Sequence, residues 1–333
     1  MYKTLLQTLR LTVALVVGTA SLAHAQTLGG DFAAGYSVSS LGSVPSLPTN
    51  YGGLTFVDND TILIGGAANG APGRLYTIDV TRGAGNHITG FVGTASLFRG
   101  GSIGTYNDGG VVFGPGGVLF TSEWPINKLG QTKTGSTVED KIIDLATLGV
   151  ASSHSAINFV PTSFSGGGQV KLVSYAGGQW YSGSLTPDGS GTYDIIGLTQ
   201  IDVNALAAGI QNLQGGPEGF TYIASGNAAF TNNSLLLSEY QAGIVSAYEV
   251  DANGDPIAST RRVFLSGLSG AEGATVDPVT GDFMFSTFGG LNQVVVVSGF
   301  TVPVVPGVPE PSTWALMLAG LAVSGVLARQ HRR

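Results

Sequence analysis

The chain has 333 residues, of which 14 are basic and 21 acidic, and it contains no cysteine. Five basic residues fall within the first ten or the last five positions, so the part between them carries a net charge near −12. A surface of that sign repels phosphate backbones and excludes nucleic acid as a partner. Because disulfides are absent, stability must come from a packed core and sheet hydrogen bonds.

The N-terminal 25 residues have the organisation of a secretory signal peptide. Lys3 and Arg10 form a basic leader, an apolar run follows at 11–20, and Ala23-His24-Ala25 provides small residues at the cleavage site. This pattern predicts removal of residues 1–25 and export of the chain that begins at Gln26.

The body of the chain, residues 26–298, is an internal repeat. Four segments combine a short apolar run, a serine and then an aromatic residue, and a fifth copy is degenerate: LFTSEW (119–124), KLVSY (171–175), LLLSEY (235–240), FMFSTF (283–288) and TILIGG (61–66). A glycine-led strand precedes each of them and another β-like run follows. The glycines that mark the units are Gly53, Gly110, Gly168, Gly219 and Gly273, spaced by 57, 58, 51 and 54 residues.

A period of 50-odd residues with several short strands predicts an all-β fold, a β-propeller of four-stranded blades. We expect five blades, or six if residues 127–161 contain another. The last unit ends after its third strand, so the segment 31–42 is expected to complete that blade and close the ring. Within the body, the segments with helix-like patterns are 139–149 and 203–213.

Acidic residues recur where strands meet one end of the predicted channel. Glu218 and Glu272 begin the innermost strand of two units, and the antiparallel second strand should return Glu123 and Glu239 to the same rim. Hard cations such as Ca²⁺ are bound by several oxygen ligands, so these four carboxylates are the candidate metal ligands.

The two Glu-Gly openings are similar to those of gluconolactonase-type propellers, in which the glutamate binds a metal in the channel. That resemblance implies that Glu218 or Glu272 is a ligand; the alternative is a structural carboxylate that accepts backbone N–H groups at a turn. Trp124, Trp180 and Tyr181 are candidates for stacking on sugar rings, with inter-blade packing as the alternative. The sequence DANGDP (251–256) is interpreted as an Asn-Gly hairpin turn.

The C-terminal end has three parts in order. A linker with two prolines (299–308) leads to Pro309-Glu310-Pro311, an uncharged run from 312 to 328 and a basic tip with Arg329, Arg332 and Arg333. An uncharged run of this length predicts a transmembrane helix, with the tip in the cytoplasm. The segment 309–333 resembles the PEP-CTERM sorting signal. This resemblance implies recognition by an exosortase-type processing enzyme, with transient anchoring in the inner membrane.

The sequence therefore predicts an exported propeller that reaches the cell surface or the extracellular matrix. The favoured interpretation is a binding or structural protein whose partner is extracellular polysaccharide. The alternative is a metal-dependent hydrolase or lactonase that uses a carboxylate-lined mouth.

Overall fold

The computed structural model describes residues 26–203 and 212–301. The predicted signal peptide, the central part of the second helix candidate, most of the linker, and the predicted membrane helix and sorting motif lie outside these residues. Two strands precede the repeat, β1 (Thr27–Leu28) and β2 (Ser37–Gly42).

The repeat forms five antiparallel sheets, the blades. Blade 1 contains β3 (Leu54–Phe56), β4 (Thr61–Gly66), β5 (Arg74–Arg82) and β6 (Ile88–Leu97). Blade 2 contains β7 (Asn107–Phe113), β8 (Leu119–Glu123), β9 (Lys128–Thr132) and β10 (Lys141–Asp144). Blade 3 contains β11 (His154–Phe159), β12 (Val170–Ser174), β13 (Trp180–Pro187) and β14 (Tyr193–Ile201). Blade 4 contains β15 (Pro217–Ile223), β16 (Ser234–Glu239), β17 (Ile244–Glu249) and β18 (Arg262–Ser266). Blade 5 contains β19 (Ala271–Val276), β20 (Phe283–Thr287) and β21 (Val294–Ser298).

The N-terminal strands complete the ring. β2 pairs antiparallel with β21, from Ser37 opposite Ser298 to Gly42 opposite Val294, and so supplies the fourth strand of blade 5. β1 adds a fifth strand to blade 4 through β18. The predicted closure by residues 31–42 is thus confirmed, and it leaves no unpaired edge on β21.

The second strand of each blade is buried because neighbouring blades cover both of its faces. In β16, Leu236 packs toward blade 5, whereas Leu235 and Leu237 pack toward blade 3. Five hydrophobic clusters fill the five contacts between adjacent blades. These middle strands therefore read as continuous apolar runs. All the described strands and hydrophobic clusters lie between Thr27 and Phe300, so we expect residues 26–301 to fold on their own.

Three details differ from the sequence prediction. The described residues form five blades and not six, because 127–161 supplies β9, β10 and β11. Gly168 does not open the first strand of blade 3 but lies in the turn before β12. The first helix candidate is instead β10 followed by a 3₁₀ turn, in which Asp144 accepts a hydrogen bond from the Ala146 amide. The described 3₁₀ segments are Ala84–Asn86, Phe98–Gly100, Pro115–Gly117, Leu145–Leu148 and Ala258–Thr260.

Candidate metal site at the channel mouth

The innermost strands of four blades contain a β-bulge where they enter the channel. Each bulge follows a residue that pairs with the end of the second strand: Asn107 in β7, His154 in β11, Pro217 in β15 and Ala271 in β19. A bulge inserts unpaired residues and redirects their side chains. In three of the four strands the next residue is acidic, namely Asp108, Glu218 and Glu272.

Asp108, Glu218 and Glu272 form one cluster, called here the carboxylate triad. One oxygen from each lies within 4.8 Å of the others, and all three side chains are buried. Two ligands on opposite sides of a Ca²⁺ ion at the usual 2.3–2.6 Å would lie roughly 5 Å apart, so the spacing fits that ion. Asp108 Oδ2, Glu218 Oε2 and Glu272 Oε1 have no hydrogen-bond partner among the described residues.

One amide supports the triad from the side. With its amide turned so that the nitrogen faces the cluster, Asn69 donates a hydrogen bond to Asp108 Oδ1 at 2.8 Å. The same nitrogen reaches the carbonyl of Asn107 at 3.1 Å. This contact orients Asp108 and leaves its second oxygen toward the other two carboxylates.

Burial disfavours negative charge on the triad. Desolvation raises the pKa of Asp108 to about 7 and the pKa values of Glu218 and Glu272 well above their usual range. Repulsion between the neighbouring carboxylates adds to the effect on both glutamates. A cation would reverse this balance and displace protons as it binds.

The structure places Glu123 and Glu239 away from the triad. The Glu239 oxygens accept hydrogen bonds from Arg261 at 2.9 and 2.6 Å and from the Tyr248 hydroxyl at 2.7 Å. Glu123 is buried beside Glu139, and desolvation followed by repulsion from Glu139 raises its pKa to about 8. Glu123 and Glu239 each end the second strand of a blade at this mouth. Their carboxylates contact groups of the blades and do not join the triad.

The recurring aromatic residues form a rim over the same mouth. The rings of Trp124, Tyr175, Tyr240 and Phe288 pack edge to face in sequence, with centroid separations of 6.3, 6.0 and 6.1 Å. Each of their backbone amides donates a hydrogen bond to a backbone carbonyl at the entry of the innermost strand in blades 2 to 5. The residue with that carbonyl lies directly before the paired residue that the bulge follows. All four side chains are half-buried. By contrast, Trp180 and Tyr181 are buried in the clusters that flank blade 3, so they pack between blades.

Close backbone contacts narrow the channel below the triad. A Cβ on Gly219 would lie 2.6 Å from the Ala274 amide nitrogen, and one on Gly273 would lie 2.6 Å from Gly53 Cα. Only glycine allows these inner strands to approach so closely. The unit-marking glycines thus define a constriction at the axis, where blade 3 carries Ala156.

The turn at 251–256 belongs to blade 4 and contacts blade 3. Asp251 Oδ1 accepts hydrogen bonds from the amides of Asn253 and Asp255, and Gly254 has a φ of 82°. Asp255 then reaches blade 3, where its Oδ1 accepts from Lys171 Nζ at 2.6 Å and from Trp180 Nε1 at 2.7 Å. The segment is a turn whose Asp255 side chain holds blade 4 against blade 3.

Asp108 is the member of the triad that sequence reasoning missed. Glu218 and Glu272 directly precede the unit-marking glycines, whereas Asp108 lies two residues before Gly110. The offset arises because the bulge in β7 contains three unpaired residues, whereas the bulges in β15 and β19 each contain two. Counting from the paired residue at the strand entry would have aligned all three.

Comparison with known proteins identifies the C-terminal tail. Residues 307–333 match the PEP-CTERM protein-sorting motif, which confirms the prediction from the tail sequence. The molecule is therefore a five-bladed β-propeller joined to a sorting signal. It is an exported protein that an exosortase-type enzyme processes. In the described part of the chain, no helix is both long and apolar enough to span a bilayer.

Solved structures give more distant likenesses. Glutaminyl cyclase from Myxococcus xanthus is 11% identical with a TM-score of 0.47, and the alignment covers 80% of this chain and 97% of that one. A putative glucose dehydrogenase from Thermus thermophilus is 12% identical with a TM-score of 0.42, covering 79% and 100%. The PQQ-bound aldose sugar dehydrogenase from Streptomyces coelicolor is 12% identical with a TM-score of 0.36, covering 78% and 83%. No curated protein matches the sequence.

Proposed function

We propose that this protein is an exported, non-catalytic binding propeller whose axis is stabilised by a Ca²⁺ ion held by the carboxylate triad. The observation that carries the proposal is the convergence of three buried carboxylates, each with one unpartnered oxygen, from blades 2, 4 and 5. A cation at this position would connect strands that are distant in sequence and neutralise charge that burial makes costly.

The burial of the triad favours a structural ion over a catalytic one. A catalytic metal keeps an open coordination position that substrate can reach. Asp108 and Glu272 are at most 1% exposed and Glu218 is 4% exposed, and the aromatic rim lies above them. The alternative of a hydrolase or lactonase would require that rim to open.

The sorting motif supports a role at the cell surface. In this proposal the precursor is held in the inner membrane by residues 309–333, and the processed propeller is delivered to the surface or the extracellular matrix. Polysaccharide is the proposed partner there. Trp124, Tyr175, Tyr240 and Phe288 give the mouth a half-buried aromatic surface, and aromatic faces suit the apolar faces of sugar rings.

The test is thermal unfolding of residues 26–301 in CaCl₂ and in EDTA. An ion that binds only the folded state stabilises it by RT ln(1 + [L]/Kd), about 2.7 kcal/mol at a hundredfold excess over Kd, which corresponds to a rise in Tm of roughly 5 °C or more. Glu272→Gln should abolish the rise. The matched control is Glu123→Gln, which removes a buried carboxylate outside the triad and should retain the rise.

Two results would contradict the proposal. If the Tm is the same in CaCl₂, MgCl₂ and EDTA, the triad does not bind a divalent ion. If the purified protein hydrolyses lactones or esters and Glu272→Gln abolishes that activity, the protein is an enzyme. Retention on immobilised matrix polysaccharide, weakened by Trp124→Ala, tests the proposed partner.

A further inference from the structure

The opposite mouth of the channel holds a cavity of about 370 Å³. The second halves of the innermost strands of all five blades line it, and Gly109, next to the triad residue Asp108, also contributes to its wall. The carboxylate triad lies at the strand entries, so the cavity and the triad occupy opposite ends of the axis. The volume falls within the roughly 300–1,000 Å³ of small-molecule sites.

The wall of this cavity is mainly apolar. Phe56, Val112, Phe113, Phe159 and Val276 contribute to it. Two of the polar lining groups are satisfied within the protein, since the Asn158 side-chain amide donates to the Phe220 carbonyl and the Tyr222 hydroxyl donates to the Gly254 carbonyl. A ligand that fills this space would therefore be largely hydrocarbon.

One cation faces the cavity from the contact between blades 1 and 2. Arg99 is held there by stacking on Phe98, at 4.5 Å from the ring centroid, and by Nη1 hydrogen bonds to the carbonyls of Lys133 and Ser136. No carboxylate of the described residues lies within salt-bridge distance of Arg99. Asp140 acts on this guanidinium only through space, so Arg99 is fixed in position without a direct ion-pair partner among the described residues.

One acidic residue also lines the cavity. Asp58 lies in the exposed turn between β3 and β4, and its Oδ1 accepts a hydrogen bond from the Asp60 amide. Asp58 is exposed whereas Arg99 is half-buried. Arg99 is therefore the less exposed of the two charged residues at the cavity. A ligand carboxylate bound to Arg99 would form a charge-assisted hydrogen bond in partly buried surroundings, where such a bond is stronger.

We infer that this cavity binds a single-chain amphiphile, with its acyl chain among the apolar side chains and its carboxylate on Arg99. This assignment is independent of the proposed cation, because none of the three triad side chains lines the cavity. A free fatty acid has both the chain and the carboxylate, whereas an acyl chain within a lipid has no free carboxylate, so lipid vesicles serve as the contrasting probe.

The experiment is calorimetric titration of residues 26–301 with dodecanoate below its micelle concentration, and with dodecanol. Dodecanoate should bind more tightly than dodecanol by roughly tenfold to hundredfold, the range for hydrogen bonds to charged groups. Arg99→Gln should remove that preference and leave the binding of dodecanol unchanged. The matched control Asp58→Asn should retain the preference.

A second variant keeps the inference testable if Arg99→Gln alters the loop that it supports. Thr275→Phe places a ring into the cavity from β19 and should abolish binding of both probes without lowering the Tm by more than a few degrees. Binding should persist in EDTA and in Glu272→Gln. The inference is overturned if neither probe binds, if Arg99→Gln leaves the preference intact, or if the protein binds only anionic lipid vesicles and no monomeric dodecanoate.

Discussion

The buried ion pair between blades 3 and 4 gives a quantitative prediction. Lys171 is fully buried, and its ammonium donates to Asp255 Oδ1 at 2.6 Å, to Ser182 Oγ at 2.7 Å and to Gln169 Oε1 at 3.0 Å. Trp180 Nε1 donates to the same Asp255 oxygen. Removing the carboxylate leaves a buried cation and a buried indole N–H without their common acceptor.

Asp255→Ala should therefore lower the free energy of unfolding by about 3–5 kcal/mol, the cost of breaking a buried pair from one side. For a domain of this size that corresponds to a fall in Tm of roughly 6–20 °C. Lys171→Met alone should also destabilise, because it leaves a buried carboxylate with the indole as its remaining side-chain donor.

The double variant Lys171→Met/Asp255→Ala removes both charges at once. It should be more stable than the sum of the single effects predicts, by about 2 kcal/mol or more, since no buried charge is left unpaired. The measurement is urea denaturation of residues 26–301 for all four proteins. If the single effects add to within about 0.5 kcal/mol, the pair is not coupled and the reasoning is wrong.

Three further predictions follow from burial and close packing. Desolvation lowers the pKa of His154 to about 3, so the folded state requires the neutral imidazole. The stability that this group contributes is present above its unfolded pKa of about 6.5 and is lost as the pH falls toward 3. His154→Leu should therefore flatten the acid limb of the pH-dependent unfolding curve. The pKa of Glu123 is raised to about 8, so the stability that its protonated form contributes declines as the pH rises from about 4.5 through 8. Glu123→Gln should therefore stabilise the protein relative to the wild type at about pH 8 but not at about pH 4. Gly219→Ala should cost about 1–3 kcal/mol by overpacking at the axis, whereas Gly90→Ala, which meets no atom within 4 Å, should be nearly neutral; urea denaturation that ranks them equally would refute the constriction.

The second strands were predictable because their environment is the same in every blade. Residues such as Leu235, Leu236 and Leu237 are covered on both sides, so an apolar run followed by serine and an aromatic residue repeats along the chain. The serine can have a structural role as well: Ser286 Oγ donates to the Gly52 carbonyl and accepts from the Gly273 amide, which joins blade 5 to blade 1.

The axis was less predictable because its geometry depends on bulges. The first strand of blade 3 carries Ala156 where other blades carry glycine, so the glycine marker failed there. Asp108 was missed because its bulge is one residue longer. Glu123 and Glu239 were assigned to the mouth from strand direction alone, which places a residue at one end of a sheet but does not determine the side to which it points.

The closure of blade 5 has a mechanical consequence. The last described residues leave the ring beside an aromatic cluster, where the Phe300 ring lies 4.6 Å from that of Tyr36 and the Thr301 amide donates to Asn227. A pulling force applied from the C-terminal side would reach β21 along its axis. Because β20 and β2 flank that strand, its hydrogen bonds would be loaded together in shear instead of opening one at a time. A propeller tethered through this end would therefore place the drag of a flowing medium on the hydrogen bonds that β21 forms with β2 and β20.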